Sequence, residues 1–82
     1  MPHKQAIKQF LLENFLFTDD TSALDDAQSL IRSGILDSTG IHELVVHLEQ
    51  TYGLSIEPQE MLPANFETVD AVDAFVSRKL AA

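Results

Sequence analysis

The chain has no cysteine and no tryptophan, three glycines, three prolines, and only 5 Lys and Arg against 13 Asp and Glu in 82 residues. Without cysteine there is no disulfide framework, no thiolate nucleophile and no sulfur-ligated zinc. The shortage of cations leaves a formal charge of -8, which repels phosphate backbones and anionic headgroups and so excludes nucleic acid and membrane surfaces as partners. The same field draws in proteins with basic patches. No apolar run approaches the length of a membrane span, and the start, MPHKQAIKQF, has no signal-peptide h-region. A cytoplasmic protein without membrane insertion is expected. Repeats, linkers, low-complexity segments and alternating strand patterns are also missing, so residues 1–82 are expected to form one domain.

What is present reads as helix. Ile7, Phe10, Leu11 and Phe15 recur at helical spacing, with Lys4, Lys8 and Glu13 left for the polar side, predicting a first helix from about residue 3 to residue 16. The stretch 18–36 mixes Asp19, Asp20, Asp25 and Asp26 with Leu24, Leu30, Ile31, Ile35 and Leu36. It predicts an ordered loop pinned to the core, with one helical turn near 26–31. Ile41, Leu44, Val45, Leu48 and Tyr52 form the stripe of a second helix, with Glu43, His47, Glu49 and Gln50 outside it. Asp37 or Ser38 is its cap and Gly53 its stop. Glu57-Pro58 opens a short third helix and Pro63 ends it. Thr68 caps the last, whose Val69, Val72, Phe75, Val76 and Leu80 face inward, with Asp70 in its first turn and Arg78 and Lys79 in its last. The fold class is all-α: an antiparallel bundle of three principal helices and one short one, with a long ordered loop between the first and second.

So small a chain, burying roughly 60–65% of its unfolded surface, favours a binding or carrier module over a free-standing enzyme. Two apparent catalytic motifs fail on geometry. HELVVH looks like the HExxH of zinc proteases, but His42 and His47 are five residues apart, about 140° around the helix, and cannot share a metal. Ser38 and His42 have the i, i+4 spacing of a nucleophile and its base, yet no G-x-S-x-G elbow or comparable apparatus accompanies them. No catalytic residue is assigned. What remains is a serine at a helix start, where free N–H groups and the helix dipole favour a phosphate, as at every such cap.

Asp37-Ser38-Thr39 at the start of the second helix, followed by Glu43-Leu44-Val45, resembles the acyl carrier protein family. The likeness continues in the early helix and long loop, in LEQTYGLSI at 48–56, in PANF at 63–66 and in V-x-x-F-V at 72–76, nearly the whole chain. The resemblance implies that Ser38, beside Asp37, receives a 4'-phosphopantetheine arm from a phosphopantetheinyl transferase, and that the arm holds an acyl or aminoacyl thioester. It also implies loading by an adenylating acyl or aminoacyl ligase, delivery to a downstream acyltransferase or synthase, and a protein that acts as a monomer and catalyses nothing.

Two departures from the fatty acid carriers stand out. Thr39 and His42 replace more apolar residues on the face that partner enzymes read, and Gly40 is similar to D-alanyl carrier proteins and small stand-alone carriers served by a dedicated ligase. Thr39, His42, Glu43 and Glu49 are the expected docking residues, with Asp37, Glu57 and Glu60 as further acidic candidates. Ile41, Leu44, Val45 and Leu48, with Phe15, Phe66, Val72 and Phe75, are expected core. The rival reading is a non-covalent acidic helical adaptor that docks a basic partner and carries no arm.

Overall fold

The computed structural model describes residues 3–81, which are helical with no strand among them. Helix α1 spans Lys4–Leu11 and widens into a π turn over Leu12–Leu16. Helix α2 spans Ser38–Tyr52, α3 Pro63–Phe66 and α4 Val69–Ala81. The expected bundle of three principal helices and one short one is present.

Helices α1 and α2 run in opposite directions. His3, at the start of α1, sets its ring edge-on to Tyr52 at the end of α2, with centroids 4.9 Å apart. At the other end Phe15 lies against Gly40. Between them Ile7, Leu11, Leu44 and Leu48 are fully buried, each worth about 1.5–3 kcal/mol of transfer free energy. Phe66 and Phe75 meet edge to face at 5.5 Å and tie α3 to α4. Lys4 reaches Asp70 at the start of α4 (2.6 Å), and Lys8 reaches Asp26 in the loop (3.0 Å).

The long loop is ordered by its leucines. Leu24, Leu30 and Leu36 are at most 1% exposed, and the Leu30 N–H donates to the Glu67 carbonyl at 2.6 Å while the Asp70 N–H donates to that of Asp26 at 3.2 Å. Ile31 and Ile35, expected as further pins, are only half-buried.

Three local expectations need correction. The helical turn of the loop lies at 29–34, where the Ser33 N–H donates to the Ser29 carbonyl, and not at 26–31. Asp25 accepts from the Ala27 N–H and folds its own neighbourhood into an Asx turn, while Ser29 caps the real one through Arg32 N–H. Pro63 begins a helix instead of ending one, because the first helical position needs no N–H; Pro58–Glu60 is a separate 3-10 turn. Leu80 is 44% exposed, since α4 outruns the surface it packs on. Asp73, inside the apolar run of α4, is 3% exposed with its Oδ1 unpartnered among the described residues.

Candidate functional site

The start of α2 is built by Asp37, Gly40 and Phe15. Asp37 is extended (φ -105, ψ -171), and its Oδ1 accepts the Gly40 N–H at 2.7 Å. Its carbonyl accepts the Ile41 N–H at 2.8 Å. Asp37 is therefore the N-cap, and of the two capping alternatives open in the sequence the structure selects this one. Ser38 becomes the first helical residue. Its side chain is exposed, and among the described residues its hydroxyl makes no hydrogen bond. A hydroxyl relieved of capping is free to react with something brought to it.

Gly40 is buried against Phe15. A Cβ at Gly40 would lie 3.0 Å from Phe15 Cε1, and 3.3 Å from both Leu36 Cδ2 and Asp37 Oδ1. The first turn of α2 is thus seated directly on α1, and Ser38 has a fixed place at that end of the bundle. The sequence marked Gly40 only by resemblance; the close approach of Phe15 is its physical reason, and no spacing rule announces it.

The expected docking residues divide into two groups. Thr39, His42 and Glu43 are exposed. Glu49 is half-buried, and its Oε2 accepts the Ile56 N–H at 3.0 Å, so this carboxylate also fastens the turn after α2. By the helical repeat, Ser38, His42 and Glu49 lie within about 40° of one another on α2, with Thr39 and Glu43 about 100–140° round from Ser38. Asp37 and Glu57 are exposed, whereas Glu60 is paired with Lys79 at 2.8 Å. That bond to Lys79, then the Glu57 N–H, hold the Glu60 carboxyl below its ordinary range.

The two helical histidines occupy different surroundings. His42 is exposed, whereas His47 is half-buried, stacked on Phe10 with Nδ1 3.4 Å from Thr51 Oγ1. Burial pushes the His47 imidazole below its usual value. The sequence placed His47 outside the apolar stripe; Phe10 reaching across from α1 is what covers it. Among the described residues no three His, Asp or Glu side chains are grouped to hold a metal ion.

A probable acyl carrier protein, PigG, from Serratia sp. (strain ATCC 39006) is 41% identical over 59 residues, spanning 72% of this chain and 68% of its own. The D-alanyl carrier protein of Streptococcus pyogenes serotype M5 (strain Manfredo) is 33% identical over 69 residues, 82% of this chain and 86% of its own. This chain belongs to the acyl carrier protein family. The solution structure of a holo acyl carrier protein from Nitrosomonas europaea covers 100% of both chains with a TM-score of 0.83 at 24% identity, which establishes the carrier fold. No family model matches the chain.

The protein is a carrier with 4'-phosphopantetheine as its prosthetic group, and like other carriers it is not an enzyme. The adaptor reading, without an arm, is not favoured. The α2 start suits the group: an exposed hydroxyl beside a helix N-terminus can form a phosphodiester whose charge the helix dipole stabilises. Among the described residues no helix is long and apolar enough to cross a membrane.

Proposed function

We propose that Ser38 is the attachment site and that residues 1–82 act as one carrier domain. The observation that carries this is the division of labour at the start of α2: Asp37 caps the helix at 2.7 Å, and the neighbouring hydroxyl stands free and exposed. In the active site of a phosphopantetheinyl transferase, the Ser38 oxygen attacks the pantetheine-side phosphorus of coenzyme A. A new O–P bond forms, the P–O bond to adenosine 3',5'-bisphosphate breaks, and the serine proton passes to a base of the transferase. The attached arm supplies a thiol that holds an acyl or aminoacyl group as a thioester. Ser38 and the capped turn beneath it then present that cargo from a fixed end of the bundle.

The finer partner assignments rest on the same surface. Exposed His42 and half-buried Glu49 on the Ser38 face of α2, with exposed Thr39 and Glu43 on the adjoining face, make the surface of this helix polar and acidic. It suits an adenylating ligase with basic residues and hydrogen-bonding groups that turn this polarity into selectivity. A downstream acyltransferase or synthase would read the same surface. The likeness to D-alanyl carriers supports a dedicated ligase, and a cytoplasmic location, where coenzyme A is available, fits the role. The deciding experiment is intact mass after co-expression with a broad-specificity transferase. A single phosphopantetheine adduct on wild type and none on Ser38→Ala is expected; an adduct on Ser38→Ala, or none on wild type, overturns the assignment.

A further inference from the structure

The first turn of α2 has one buried residue. Ser38, Thr39, His42 and Glu43 are exposed and Ile41 is half-buried, so between Asp37 and Leu44 the helix meets the rest of the protein chiefly through Gly40. The Asp37 cap is local and fixes the shape of the turn, not its place in the molecule. Of the three atoms nearest to where a Gly40 Cβ would stand, Leu36 Cδ2 and Asp37 Oδ1 belong to the residues leading into α2. The nearest, Phe15 Cε1 at 3.0 Å, comes from α1. Phe15 is therefore the part of another helix on which the turn carrying Ser38 is seated.

A departure from regular helix brings it there. Leu12–Leu16 form a π turn, whose bonds join residues five apart instead of four. Phe17 closes it: the left-handed backbone (φ 54, ψ 45) aims its N–H, and after it that of Thr18 at 3.1 Å, at the Leu12 carbonyl. The added residue sets Phe15 back around the axis from where the α repeat of Ile7 and Leu11 would carry it. Such turns are rare and recur at functional sites. Phe15 is also braced from behind, since Phe10 meets it edge to face at 6.0 Å and His47 of α2 lies on Phe10 at 3.8 Å. His47, Phe10, Phe15 and Gly40 make a row of contacts that leaves α2 beyond its middle and returns to it at its start.

The group this row holds in place is the Ser38 hydroxyl, which makes no hydrogen bond of its own among the described residues. Attack on phosphorus needs the reacting atoms about 3–3.5 Å apart and aligned, and a misplacement of about 1 Å can cost about a hundredfold in rate. We propose that Phe15 is a positioning residue for arm transfer, holding the Ser38 turn through Gly40 while touching none of the reacting atoms. This rests on the reading of Ser38 as the modified serine.

The test is single-turnover transfer from coenzyme A to the arm-free carrier with a broad-specificity transferase in excess. The maximal rate then reports the bound complex, and the half-saturating transferase concentration reports docking. Phe15→Leu keeps an apolar side chain on α1 and removes the ring under Gly40. Gly40→Ala disturbs the same contact from the other side, pressing a Cβ on the ring at 3.0 Å, and carries the test should the first variant not fold. Each should lower the maximal rate about tenfold with half-saturation unchanged. Both together, where the methyl fills part of the space the ring leaves, should restore most of it. Tyr52→Leu, which removes the His3 contact at the far end of the same two helices, is the matched control and should leave both constants as in wild type. Without turnover, NMR backbone relaxation of the arm-free protein should show residues 38–40 more mobile in Phe15→Leu and unchanged in Tyr52→Leu. An unaltered maximal rate in the Phe15 and Gly40 variants overturns the positioning role while leaving Ser38 as the attachment site. So does a rise in half-saturation alone, which would make the ring a docking element, or equal slowing by Tyr52→Leu, which would make the loss one of general looseness. Wild type that takes up no arm removes the Ser38 reading and the positioning role with it.

Discussion

The imidazole of His47 lies flat on the ring of Phe10, centroids 3.8 Å apart and planes 14° from parallel. Because burial lowers the His47 pKa in the folded protein, the unfolded chain binds more protons as pH falls below the ordinary imidazole value of about 6.5. Stability should therefore decline between pH 7.5 and 5.5. The stabilisation from the lowered carboxyls of Asp26, held down chiefly by the Lys8 hydrogen bond, and of Glu60, held down chiefly by that of Lys79, is complete in this window. It is lost only as pH falls through their folded pKa values, below about 4. Urea midpoints across the window should slope for wild type and flatten for His47→Gln.

Asp37 and Ser38 should separate cleanly under substitution. Asp37→Ala removes the 2.7 Å cap and should cost about 0.5–2 kcal/mol. Ser38→Ala loses no hydrogen bond among the described residues and should stay within about 0.5 kcal/mol of wild type. Chemical denaturation measures both; equal losses would return the capping role to the serine.

At Gly40 two effects oppose each other. Alanine gains about 1 kcal/mol of helix propensity, less in a first turn, but its Cβ would stand 3.0 Å from Phe15 and crowd the capping oxygen at 3.3 Å. Overpacking of this kind costs about 1–3 kcal/mol, so Gly40→Ala should be destabilising. With Phe15→Leu already present it should become neutral or better, and a double-mutant cycle would record the coupling.

Glu49 joins a structural bond to an expected docking role, and two substitutions tell them apart. Glu49→Gln keeps an oxygen for the Ile56 N–H and removes the charge; Glu49→Ala removes both. Denaturation should show Glu49→Ala less stable by about 1–2 kcal/mol and Glu49→Gln affected less. If the carboxylate also steers partners, both should slow arm addition at low salt, and the effect should shrink as salt is added.

Patterning made the helices legible. The stripe from Ile41 to Tyr52 and the Thr68 cap, whose Oγ1 accepts the Ala71 N–H at 3.0 Å, read directly from the chain, and so did the ordered loop. The site was half legible. D-S at a helix start marked the candidate place, but which residue caps depends on a backbone angle that composition does not encode. The reason for Gly40, the stacking of His47 and the burial of Asp73 depend on which side chain arrives from another helix. Pro63 was misread because proline marks helix starts and helix ends alike, and only the fate of the neighbouring carbonyls distinguishes them.

The seam between α1 and α2 is fastened at three heights, by His3 on Tyr52, Phe10 on His47 and Phe15 against Gly40. The four-residue α3 has no side-chain cap at its start and a single fully buried side chain, Phe66. Amide protons along the fastened seam should therefore exchange with solvent only when the whole molecule unfolds, while those of 62–66 should exchange through a brief local opening. On that clock the bundle has a slow half and a fast half, and Ser38 sits on the slow one.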